Sequence, residues 1–523
     1  MSIHRFSHRQ GIQFTRRDLL RQMGAAGLVL SAEGPRALGA TILSNAAEAP
    51  ATPCLFYRPA NAWVGDTIPF CKDGVYHIFY LHDWRDEKNH GPGTSWYQVS
   101  TKDFIHFQDH GEMLPRGTAQ DQDLSVATGS VLEARGQYHA FYTGYSRVRK
   151  AQGQPEQSIC HAISDDLVHW KKLPDRTFYA DTKFYEKDDW RDPFVFWNEQ
   201  ASEYWLLCAA RLKAGPFRRR GCTALCTSKD LITWNVKEPV YAPNLYETHE
   251  CPDLFRMGDW WYLIFSEFSD ASITRYRMGR SINGPWITPE DDAFDGRDFY
   301  AAKTAGDGVH RFLFGWNPTR NENKDYAFWN WGGNLGVHQL IQRREGTLGV
   351  TMPETLHNLF RTAVPQQDSV RVGRVHEQVG AFRLDARESF APVGFGDLPP
   401  RCRIEATIIF RPSTRRCGLM LHSDLELSSA YSFRIDPERA RIVLESYPRP
   451  DANSPYMMGL ERPLHVKANT PIKLNLLIDG DICTAYLDGF LALSTRMDNP
   501  RGGRWGPFVE DGDATFSALQ LLI

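Results

Sequence analysis

The chain has 523 residues, with 60 basic against 63 acidic side chains, a formal net charge of −3, 42% hydrophobic and 12% aromatic content. At about 150 residues per domain this length predicts two to four domains and a core that needs no disulfide or metal staple. The ordinary composition excludes a mainly disordered, collagen-like or coiled-coil chain, and the near-neutral balance argues against nucleic acid or an anionic membrane as main partner.

Residues 1–49 read as an address rather than a fold. Arg5, Arg9, Arg16, Arg17 and Arg21 form a charged head, and Thr15-Arg16-Arg17-Asp18-Leu19-Leu20 resembles a twin-arginine motif. The short apolar run from Met23 to Ala32 and the small-residue site Ala47-Glu48-Ala49 complete an export signal. The protein is therefore expected in the periplasm or outside the cell. The apolar run is too short to span a bilayer, and no other stretch reads as a transmembrane helix.

From 50 to 363 one pattern recurs. A turn is followed by an aromatic-rich strand at Gly74–Tyr80, Gly136–Tyr142, Glu203–Leu207, Gly258–Leu263 and, more weakly, Gly308–Phe314. With Tyr76, Tyr138, Tyr204, Trp260 and His310 as markers, the steps are 62, 66, 56 and 50 residues. A second element begins at Ser100, Ser164 and Ser228, and in degenerate form at Ser281, and ends on an aromatic residue. Serine and aspartate suit a tight turn there, and the ring suits packing between neighbouring sheets. Five such units predict an all-β fold, a five-bladed β-propeller. A short linker is expected at 364–372. After it, alternating strands such as Arg403–Phe410 and Lys473–Ile478, the latter followed by an Asp479-Gly480-Asp481 turn, predict a β-sandwich over 373–523.

The ten cysteines include no CxxC pair, so free, partly buried thiols are expected, with no metal and no cofactor. No nucleotide-binding, zincin or serine-hydrolase motif is present.

In a propeller the innermost strand of each blade lines the axis and precedes the aromatic strand. Counting back from the markers, Asp66 lies 10 before Tyr76, Asp192 lies 12 before Tyr204, Glu250 lies 10 before Trp260 and Asp298 lies 12 before His310. Carboxylates converging on one axis raise one another's pKa and divide into protonated and ionised roles, the chemistry of glycosidic bond cleavage. Capped turns, arginine pairs or a calcium site are the other uses of such acids. Trp63, Trp96 and Trp190 offer rings for sugar stacking or for packing.

Arg191-Asp192-Pro193 and Glu250-Cys251-Pro252-Asp253 resemble the RDP and EC motifs of glycoside hydrolase family 32. Tyr142-Thr143-Gly144, Asp298-Phe299-Tyr300-Ala301 and the late stretch from Leu487 to Arg496 are also similar to that family, over about residues 52–523. The resemblance implies that Asp66 is the nucleophile, Glu250 the general acid and base, and Asp192 the transition-state stabiliser. Trp63, His82, Asp83, Ser130, Arg191 and Asp298 are the candidate substrate-binding residues. It implies a retaining enzyme on β-fructofuranosides, with an oligo- or polysaccharide as partner. A fructosyltransferase, a hydrolase of another furanoside such as an arabinofuranoside, and a non-catalytic sugar-binding propeller are the alternatives.

Two departures stand out. The family motif W-M-N-D-P-N-G is here Trp63-Val64-Gly65-Asp66-Thr67-Ile68-Pro69, and the family's Y-H-L-F-Y-Q ends in Leu81. Gly65 and Leu81 thus replace an asparagine and a glutamine that hold the fructosyl ring, with His82 and Asp83 as candidate substitutes. A fructan or fructo-oligosaccharide is expected in place of plain sucrose. Returning asparagine to position 65 and glutamine to position 81 is expected to raise sucrose cleavage.

Overall fold

The computed structural model describes residues 53–366, 369–448 and 460–523, so the expected export signal lies outside the described part. Four-stranded antiparallel blades begin at the inner strands Trp63–Lys72, Ser125–Ala134 and Tyr185–Asn198. The fourth blade, from Glu250–Met257, has three strands, and the fifth, from Tyr300–Gly306, has four. Each inner strand packs beside the next, and a bridge from Val64 to Gly333 joins the fifth blade to the first.

Local sequence explains the repeat. The hairpin turns at Asp73-Gly74 and Arg135-Gly136 hold positive φ at both residues (49° and 74°, 54° and 77°), the two-residue geometry that matches strand twist. In the second element Ser164 and Ser228 accept the amides of Leu167 and Leu231, while Asp166 and Asp230 accept the two amides beyond. Leu167 and Leu231 take φ of 66° and 65° there. In the first blade the equivalent hydroxyl belongs to Thr101, one residue after the expected Ser100, with Asp103 in the aspartate role. The closing rings reach across blades: Trp170 meets Phe79 edge-on at 5.9 Å and Trp234 meets Phe141 at 5.4 Å.

All five inner strands share one irregularity. The ladder to the second strand slips between Val64 and Thr67, Ala127 and Gly129, Arg191 and Phe194, Glu250 and Asp253, and Tyr300 and Lys303. Asp192, Cys251 and Ala301 take φ of 58°, 50° and 54° at these bulges. A bulge re-aims side chains that a regular strand would alternate, and here it does so at one level around the axis.

Two larger antiparallel sheets enclose an apolar core that runs from Phe382 to Leu521. The stretch read as a linker is stitched into them: Ala363 and Val364 pair with Leu522 and Leu521, and Val370 and Arg371 pair with Gly394 and Val393. The Gly480 turn, at φ 62°, joins Ile472–Asp479 to Ile482–Leu487. Buried polar contacts tie sandwich to propeller: Asp295 accepts the Ser494 amide at 2.7 Å, and Arg320 donates to Asp498 at 2.8 Å. All ten cysteines are free thiols, eight of them buried.

Candidate active site

The bulges deliver three buried carboxylates to one network. Asp66 accepts from the Thr128 hydroxyl at 2.6 Å and from the Trp316 indole N–H at 3.0 Å. Asp192 accepts the Cys251 amide at 3.0 Å, and its own amide donates to Thr143 Oγ1 at 2.7 Å. Glu250 accepts from Arg191 Nη2 at 3.2 Å and from the Tyr300 hydroxyl at 2.9 Å. Tyr300 and Trp316, one donor for each of two acids, meet edge-on at 5.3 Å.

Arg191 is the cation ion-paired to Glu250 and Asp192. It also lies 3.9 Å from Asp192, 2.9 Å from Asp189 and 2.9 Å from Thr248 Oγ1. Burial pushes the Asp192 carboxyl up; Arg191 pulls it down, and the charges of Glu250 and Asp66 push it up again. Burial and the charge of Glu250 hold the Tyr300 hydroxyl well above its ordinary range, so it stays a proton donor. Lys303, whose charge also acts on Asp192 and Asp66, is buried, donates to the Gly129 carbonyl at 2.6 Å and has its pKa lowered by burial. Among the described residues no group of three or more His, Cys, Asp or Glu is placed to hold a metal.

The remaining candidates separate. Trp63 stands three residues from Asp66, with the guanidinium carbons of Arg58 and Arg85 4.1 and 4.6 Å from its ring. Asp83 is taken up by Arg85, accepting its amide at 3.0 Å and its Nε at 3.4 Å. His82 is buried in an aromatic stack, 3.9 Å from Tyr97 and 4.4 Å from Trp84, and burial pushes it down to about 4. Ser130 accepts the Val195 amide at 3.0 Å, a contact between blades. Asp298 is not brought to the cluster: it precedes the inner strand, is buried, and accepts the Arg496 amide at 2.5 Å at the sandwich seam. Trp96 and Trp190 are fully buried packing residues.

Thr128, Tyr300, Trp316 and Lys303 escaped the sequence reading. For two of them a signal existed. Thr128 and Tyr300 lie 10 before Tyr138 and His310, the spacing that finds Asp66 and Glu250.

A sequence profile described as the Glycosyl hydrolases family 32 N-terminal domain matches residues 57–348. Sucrose-6-phosphate hydrolase of Vibrio alginolyticus is 29% identical over 60% of this chain and 65% of its own length. Levanbiose-producing levanase of Bacillus subtilis is 27% identical over 47% of this chain and 45% of its own. The chain thus aligns with less than two thirds of these relatives. Among solved structures, sucrose-6-phosphate hydrolase from Lactobacillus gasseri superposes with TM-score 0.68 at 18% identity, over 91% of this chain and 93% of that one. Fructan 1-exohydrolase IIa from Cichorium intybus gives 0.66 at 16% identity, over 90% and 98%. These superpositions speak for the propeller-and-sandwich fold.

Proposed function

Since the chain belongs to family 32 of the glycosyl hydrolases, we propose that it is a retaining hydrolase of β-fructofuranosides, acting on a fructan or fructo-oligosaccharide in preference to sucrose. The observation that carries this reading is the convergence of Asp66, Asp192 and Glu250 on one buried network, each with its own donors. An Asp66 oxygen attacks the anomeric carbon as the glycosidic C–O bond breaks, and Glu250 delivers its proton to the leaving oxygen. Asp192 accepts hydrogen bonds from sugar hydroxyls. Glu250 then takes a proton from water, whose oxygen replaces Asp66 at the anomeric carbon. A sugar hydroxyl in place of that water would make the same site a transferase.

The substrate choice draws on Gly65 and Leu81, and on relatives named as a levanbiose-producing levanase and a fructan beta-fructosidase. Export by the twin-arginine route belongs to the same proposal, since polysaccharides are met outside the cytoplasm. The test is product analysis on sucrose, inulin, levan and arabinofuranosides, following the anomer first released. First release of the retained anomer from a fructan supports the reading; first release of the inverted anomer, or turnover of arabinofuranosides alone, overturns it.

A further inference from the structure

Gly65 sits in the bulge beside Asp66, and the space a side chain would need there is occupied. A Cβ on Gly65 would lie 2.2 Å from Cη2 of Trp331 and 2.8 Å from Cζ2, far inside contact distance. The indole is rigid, and its backbone is clamped. Arg85 donates to the Trp331 carbonyl at 2.8 Å and to the Gly332 carbonyl at 3.0 Å. The following residues pass so close that a Cβ on Gly333 would stand 1.7 Å from the Asn317 carbonyl oxygen. The ring is half-buried. It packs on the apolar cluster that contains Ile68 and Leu81, and on the cluster of Cys251, Tyr300 and Trp316. Trp316, 6.2 Å away and edge-on, is the residue that donates to Asp66.

The two departures from the family pattern therefore meet in one place. We infer that Trp331 is a specificity-determining wall of the sugar site beside Asp66, and that Gly65, Leu81 and Trp331 together replace hydroxyl-directed hydrogen bonds with stacking on the C–H face of a furanosyl ring. This inference rests on the proposed glycosidase reading. It also reverses the expectation that asparagine at 65 restores sucrose cleavage, because the new side chain would collide with the indole.

The experiment compares wild type, Gly65→Asn, Trp331→Ala, Trp331→Phe and the double variant Gly65→Asn with Trp331→Ala. It measures kcat and KM on a fructo-oligosaccharide and on sucrose, the melting temperature, and quenching of tryptophan fluorescence by fructose. Aromatic stacking predicts that Trp331→Ala raises KM about two- to tenfold, with Trp331→Phe between it and wild type. Gly65→Asn should lose activity with Trp331 present and regain part of it, on sucrose above all, in the double variant. A lower melting temperature with unchanged KM in Trp331→Ala, or additive effects in the double variant, overturns the wall. If wild type turns over no furanoside yet fructose quenches it and not Trp331→Ala, the glycosidase reading fails and the sugar site stands. Absence of both turnover and quenching refutes the two together.

Discussion

Replacing Arg191 with methionine, similar in volume and uncharged, tests how the acid cluster is held. Arg191 faces Glu250 at 3.2 Å and Asp192 at 3.9 Å. At 3.9 Å and an effective dielectric of about 20, the attraction to Asp192 is worth about 4 kcal/mol. Removing it would drive the Asp192 carboxyl upward by at most ~3 pH units. Asp192 already stands above the ordinary carboxylate range, through burial and the neighbouring acids. If ionised Asp192 is needed for turnover, the acid limb of kcat/KM against pH moves up and neutral-pH activity collapses. Stability follows the same sign. A carboxyl whose folded pKa is raised contributes stability below its unfolded pKa and loses it as pH rises through the folded value. The variant's deficit, about 3–5 kcal/mol for a broken buried pair, should therefore be larger at pH 8 than at pH 4. The assays are pH profiles of kcat/KM on a fructo-oligosaccharide and melting curves at both pH values, with Arg191→Lys expected to fall between. An unmoved acid limb with a uniformly lowered melting temperature would refute electrostatic control and leave Arg191 a packing residue.

Four further outcomes are expected. Asp66→Ala and Glu250→Ala should each cut kcat by at least about 10²–10⁴ without unfolding the chain, and azide should rescue Asp66→Ala as a glycosyl azide of inverted configuration, seen by NMR. Asp298, which burial pushes up to about 7, should leave kcat/KM nearly unchanged when replaced by asparagine. The same substitution should flatten the fall in melting temperature as pH rises from about 4 to 7, because the raised carboxyl gives its stability at low pH. Changing Arg16 and Arg17 to lysine should block export, read as unprocessed precursor in the cytoplasm by immunoblot.

What was legible in the sequence depended on periodicity. The aromatic markers and the serine-to-aspartate turns repeat because each blade solves the same two local problems, a tight hairpin and a capped turn, and both solutions are short-range. The acids were legible for the same reason, since a count of 10 residues back from the marker in the first and fourth blades, and of 12 in the third, lands on the bulge. Asp298 shows where counting fails. The third blade places Asp192 12 residues before its marker, and carrying that number to the fifth blade selected an acid outside the inner strand. The count of 10 selects Tyr300, the donor to Glu250. Residue type hides what the regular spacing shows: the fifth blade carries a phenol where the first and fourth carry an acid.

Trp331 had no such signal. It enters from the third strand of the fifth blade, 266 residues from Gly65, through the bridge that joins the last blade to the first. Nothing local distinguishes it from Trp329, two residues away and engaged by Arg320 at 4.2 Å. The glycine at 65 reads in sequence as a lost side chain. In the fold it is the space a rigid indole requires, and that meaning exists only once ring closure brings the two strands together. A missing contact inferred from one segment is thus incomplete until the segment that crosses it is known, and in a closed ring of blades that segment comes from the far end of the repeat.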